Sequence, residues 1–160
     1  MNMSDSRWSR VSDKLATFHG FLAAQLDATY ELADGTFQRR GMSLQTFISE
    51  VADFKRQLET HINTEARHVY PILAQRMPAF APGQRLSLAH SAVRRGLDGI
   101  DSIVSKTTAS PPSYNGAELR QCIDSFRGTL YALFADELRE LHPANMQRYW
   151  SLNEVIALPV

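Results

Sequence analysis

The sequence predicts an all-α protein built as an antiparallel, up-down-up-down four-helix bundle, free of any strand-forming pattern. Four segments carry apolar residues at helical steps, turn-rich breaks near 34–42, 71–83 and 107–116 separate them, and no segment alternates apolar with polar residues.

The first segment, about Ser6 to Ala33, lines up Trp8, Val11, Leu15, Leu22, Leu26 and Tyr30. AspGly at 34–35 and Gly41 end it. Ser43 is a plausible N-cap for the second, whose stripe is Leu44, Phe47, Val51, Phe54 and Leu58. Pro71, Pro78, Pro82 and Gly83 follow, so this helix is expected to end or kink near Tyr70. The third, about Gln84 to Lys106, carries Leu86, Val93, Leu97, Ile100 and Val104. The run TTASPPSYNG is a loop by composition. The fourth, about Ala117 to His142, carries Leu119, Cys122, Phe126, Leu130 and Leu141 before Pro143. Helices of about 20 to 28 residues joined by short connections suit antiparallel neighbours in one domain spanning the chain.

Composition excludes more than it names. With 17 basic and 17 acidic residues in 160, no global charge draws the chain to nucleic acid or an anionic membrane. No stretch approaches the roughly 18 apolar residues that span a bilayer. The opening MNMSDSRWSR has no apolar run and does not read as a secretory signal. Cys122 is the sole cysteine, so no internal disulfide forms, and a reducing, cytoplasmic setting is expected.

Continued by the same steps, each stripe meets residues foreign to a core. Leu15 leads to His19, Leu58 to His61 and Glu65, Leu86 to His90, and Leu130 to Leu133 and Glu137. His61 and Glu65, four apart, share a helix face. His61 and Glu65 lie some five to nine residues before their helix ends and His90 about six after its own begins, so at about 1.5 Å per residue they share a level. Three histidines, Leu133 and nearby carboxylates therefore meet in one layer. A lone carboxylate there is costly, and a cation held by imidazole and carboxylate removes that cost.

The segment HINTEARHVYP, His61 to Pro71, resembles the hemerythrin-like (HHE cation-binding) family. TFHGFL around His19, LAHSAVRRGLDGI around His90 and LYALFADELREL around Glu137 extend the resemblance over about residues 12 to 145, most like fungal members. It implies a four-helix bundle holding two non-haem irons bridged by carboxylates of helices 2 and 4, matched here by Glu65 and Glu137. One iron's histidines match His19 and His61. The other iron's set keeps His90 but has Arg94 and Leu133 where histidines belong, and Ala66 replaces a second carboxylate found in many relatives. The expected metal residues are thus His19, His61, Glu65 and Glu137, with His90 close by, for at most one ion per chain. Iron is expected; zinc or manganese suit the same ligands.

A metal-free enzyme is the competing expectation: His19, His61 and His90 as bases, Glu65 or Glu137 as orienting groups or acid, and Arg94 as oxyanion donor. Cyclisation, isomerisation or condensation of a small apolar molecule would suit that set. Reversible oxygen carriage is not expected, since it takes two electrons and one iron supplies them poorly. Arg94 could pair with Glu137 or Glu65, face an anionic ligand, or cover apolar surface and point to water. His68, seven after His61, is too far along for the same ion. His142 suits a capping role at the end of the fourth helix, and Cys122 an inert buried thiol. The aromatic C-terminal arm RYWSLNEVIALPV is expected to pack back, and to offer a lid or a homodimer contact.

Overall fold

The computed structural model describes residues 5–160, all-α with no strand among them. The first four residues of the N-terminal stretch read above for a signal lie outside the described residues. A 3-10 turn, Ser6–Ser9, leads into α1 (Arg10–Leu32), and the short α2 (Thr36–Arg39) sits within the first break. α3 spans Leu44–Thr64, a π turn Glu65–Val69, and α4 Tyr70–Leu73. α5 (Arg85–Ala109), α6 (Gly116–Glu140), α7 (Pro143–Met146) and α8 (Leu152–Ala157) complete the order.

The boundaries follow local chemistry. Ser43 caps α3 as expected, its hydroxyl accepting from the Thr46 N–H at 3.1 Å. Gly35 and Gly41 take positive φ, 100° and 80°, where the chain reverses around α2. α5 runs three residues into the expected loop and stops where Ser110 precedes a proline, at φ −143° and ψ 85°. Asn115 starts α6 by accepting from the N–H groups of Ala117 and Glu118. His142 caps, but at the start of α7: its Nδ1 accepts from the Ala144 N–H at 3.2 Å.

Pro71 does not end the second helix. The π turn widens the backbone just before it, with the Tyr70 N–H donating to Glu65 O five residues back. A proline ring clashes with the carbonyl four residues earlier, and the wider turn relieves that clash while the helix runs on to Leu73.

The long helices meet along buried seams whose cross-contacts run in opposite senses. From Tyr30–Asp124 (3.1 Å) through Asp27–Tyr131 (2.6 Å) to His19–Glu137 (3.5 Å), α1 descends as α6 ascends. Lys55–Asp101 (3.8 Å), Asn63–Arg94 (3.3 Å) and Glu65–His90 (3.0 Å) do the same for α3 and α5. The C-terminal arm packs back, burying Trp150, Val155 and Leu158. Arg10 donates to the carbonyls of Leu158 and Val160, and Arg76 pairs with Glu154 at 2.7 Å.

α5 and α6 approach closely at Gly96, where a Cβ would stand 2.2 Å from a ring carbon of Phe126. Gly96→Ala gains about 1 kcal/mol of helix propensity but forces the buried Phe126 aside, an overpacking cost of about 1–3 kcal/mol. A lower midpoint in chemical denaturation is expected; an unchanged or raised midpoint would show that the seam yields.

Candidate metal centre

α1 brings in His19, the end of α3 His61, the π turn Glu65, α5 His90 and α6 Glu137. All but His61 are buried, and the His61 side chain is 9% exposed. His19 lies flat on Phe134 of α6, ring centroids 3.9 Å apart and 7° between planes. The His61 ring meets the edge of His19 at 5.3 Å, and Phe18 covers it at 4.8 Å. These contacts fix both rings without hydrogen bonds.

Four atoms face one another without hydrogen-bond partners: His19 Nε2, His61 Nε2, Glu65 Oε1 and Glu137 Oε2. His61 Nε2 and Glu65 Oε1 are 2.9 Å apart yet not aligned for a hydrogen bond. His19 Nε2 lies 3.5 Å from Glu137 Oε2 and 3.9 Å from Glu65 Oε1. Ligand atoms of these four residues all fall within 4.8 Å of one another. Buried polar atoms are normally paired, and four orphans directed at one point are a donor set for a cation.

The other two carboxylate oxygens are occupied differently. Glu65 Oε2 lies 3.0 Å from His90 Nε2, and Glu137 Oε1 accepts from the Tyr70 hydroxyl at 2.9 Å. His90 Nε2 is also 3.5 Å from Glu137 Oε1. With an ionised carboxylate as acceptor, the Nε2 proton is assigned to His90. His90 therefore stands across the carboxylates from His19 and His61, stacked on the Tyr70 ring at 4.5 Å.

Tyr70 was not singled out by helical periodicity. Five residues past Glu65, a regular α-helix would turn it about 140° away; the π turn brings it inside, 5% exposed. The available signal was Pro71 within an otherwise helical pattern, which calls for a break or a widened turn. Phe134 was missed for another reason: it adjoins Leu133 on α6 and carries no donor.

Arg94 pairs with neither carboxylate. Its Nε donates to Asn63 Oδ1 at 3.3 Å on the flank of the α3–α5 seam, half-buried. The histidines already face both carboxylates, and the Arg94 stem covers the seam edge. The cationic oxyanion donor of the metal-free enzyme expectation is thus not directed at the Glu pair. Leu133 is buried, Ala66 offers no donor, and His68 is exposed. Cys122 is half-buried, its Sγ 3.4 Å from Gly96 O, and burial pushes its thiol upward.

Burial opposes charge on His19 and His90, but Glu137 and Glu65 outweigh it and raise both imidazoles. Burial likewise opposes charge on Glu65, and His19, His61 and His90 overcome it, holding the carboxyl well below its usual range. Burial and the adjacent carboxylates raise Tyr70 and keep its phenol protonated. Without a cation, protons on histidine supply the positive charge that the carboxylates require.

The profile of the hemerythrin HHE cation-binding domain matches residues 10–144. The chain belongs to the hemerythrin HHE cation-binding domain family. The match takes in all four long helices and every residue of the hemerythrin-type cluster. No curated protein and no solved structure matches the chain, so the narrower likeness to fungal members has no relative to stand on. Among the described residues no helix is long and apolar enough to cross a membrane.

Proposed function

We propose that this protein is an up-down-up-down, four-helix hemerythrin-type domain that holds one non-haem metal ion, iron, through His19, His61, Glu65 and Glu137. The observation that carries the reading is the asymmetry of the two carboxylates. One oxygen of each lacks a partner and faces His19 and His61; the other is engaged by His90 or Tyr70. Two imidazoles and two carboxylates suit a divalent first-row cation, whose charge the carboxylates balance. Bound there, iron supplies Lewis acidity and one-electron redox capacity.

The chain's own groups prepare the site. Tyr70 and His90 hold the far oxygens and so orient the near ones, the role that outer partners commonly play around metals. Phe134 and Phe18 exclude water from the imidazole faces. Cys122, alone and half-buried, supports a reducing, cytoplasmic setting.

Anaerobic loading with ferrous iron, followed by elemental analysis, should give one ion per chain, and chelation should lower the melting temperature. Ligand at 1,000 times its dissociation constant stabilises by about 4 kcal/mol. Chelator-indifferent melting with no retained metal would overturn the proposal.

The pH dependence has a definite sign. His19 and His90, raised in the folded state, contribute stability that is full below about pH 6.5 and is lost as pH rises through their folded values. Glu65, depressed, contributes stability present above about pH 4.3 and lost as pH falls through its folded value. The metal-free cluster is therefore strongest in the acidic window between. Metal needs unprotonated imidazole, so the gap in melting temperature between loaded and metal-free protein should widen from pH 5.5 to 8.5. A gap that narrows would contradict this account.

A further inference from the structure

Along the α1–α3 seam lies a groove of about 1020 Å³, with His61 and Glu65 in its wall and Pro159 and Val160 at its edge. Phe18 and Phe21, 40% and 52% exposed, stand on successive turns of α1 with ring centroids 6.5 Å apart. Large exposed aromatics in a concave surface mark a binding site more often than a solvent face. The charged side chains lining the groove are Lys14, Arg56 and Glu65. Arg56 is paired with Asp53, and Glu65 is matched by histidines. Lys14 has no ion-pair partner among the described residues, which leaves an apolar trough with one uncommitted cation.

We infer that this groove binds a small organic acid, its flat apolar body against Phe18 and Phe21 and its carboxylate at Lys14. Lys14 and Phe18 are four residues apart on one helix face, so a carboxylate at one edge of a ring system reaches the ammonium while the ring lies on Phe18. A cationic ligand would be repelled by Lys14, and a neutral one would leave that charge unused. Phe18 also faces His61 at 4.8 Å, so the bound body lies beside the proposed metal ligands. That last placement rests on the metal reading; binding in the groove does not.

Calorimetric titration of the full chain with naphthalene-2-carboxylate and its neutral carboxamide, metal-free and manganese-loaded, tests the inference. Saturable 1:1 binding of the carboxylate is expected in both forms, roughly fivefold tighter than the amide, as for a partly exposed ion pair. Lys14→Gln should erase that preference and leave amide binding unchanged. Phe21→Ser should weaken both ligands several-fold; both variants are exposed substitutions whose fold circular dichroism checks. No saturable binding to millimolar concentration overturns the inference. So does a carboxylate preference that survives Lys14→Gln, or binding confined to the loaded form and indifferent to both variants, which would place the acid on the metal alone. Faster relaxation of the probe's ring protons in manganese-loaded protein is expected beside His61, and unchanged relaxation would refute that placement. A chain that takes up no manganese defeats the metal reading, while the metal-free titrations still decide the groove.

Discussion

Glu65→Gln is expected to abolish metal uptake while leaving a folded bundle. Glu65, like Glu137, spans both sides of the cluster, with Oε1 toward His61 and Oε2 toward His90. Glutamine keeps the shape and one carbonyl acceptor but removes half of the negative charge that balances a divalent cation. Loss of an outer partner commonly costs 10–100-fold in metal affinity, so loss of a charged ligand should cost at least about 100-fold. The metal-free variant should also lose about 1–3 kcal/mol below pH 6.5, because a buried carboxylate facing histidines is replaced by a neutral amide. Melting of the variant should no longer respond to iron or to chelator. Glu137→Gln should behave alike, since Tyr70 can still donate to an amide oxygen. Arg94→Ala, by contrast, removes one long contact to Asn63 and should leave uptake unchanged. An Arg94-sensitive, Glu65-indifferent protein would return the pocket to the metal-free enzyme reading.

The all-helical fold and the near half of the cluster were legible because both follow α periodicity. His61 and Glu65 are four apart, and His19, His90 and Glu137 each continue an apolar stripe, so regular geometry carries them inward. What was not legible departs from that regularity. The π turn shifts Tyr70 off the α phase, and a pattern reader that ends the helix at Pro71 discards the residue that engages Glu137. Arg94 continues the face of His90, and the sequence left three placements open for it: beside a carboxylate, facing an anionic ligand, or covering apolar surface. A long, flexible stem makes spacing a weak guide to its end group, which reaches Asn63. The groove depends on how far α1 and α3 separate, and no property of either helix alone encodes that distance.

A second metal should enter only when Tyr70 is removed along with the two departures from the family's ligand set. Arg94 lies four after His90 and Leu133 four before Glu137, so histidines at both positions would face the far oxygens of Glu65 and Glu137. In Arg94→His with Leu133→His, however, the Tyr70 hydroxyl still holds Glu137 Oε1, and uptake should remain at one ion per chain. Adding Tyr70→Phe frees that oxygen, and uptake should rise to two. The six-line manganese resonance of an isolated ion should then give way to the signal of a coupled pair. Metal-free, the triple variant should be less stable by about 1–3 kcal/mol, because histidine at the fully buried position 133 lacks an assured partner; loading should restore the loss. Two ions in the double variant would show that Tyr70 does not block the far side. One ion in the triple variant would mean that the missing histidines were never what limited the site.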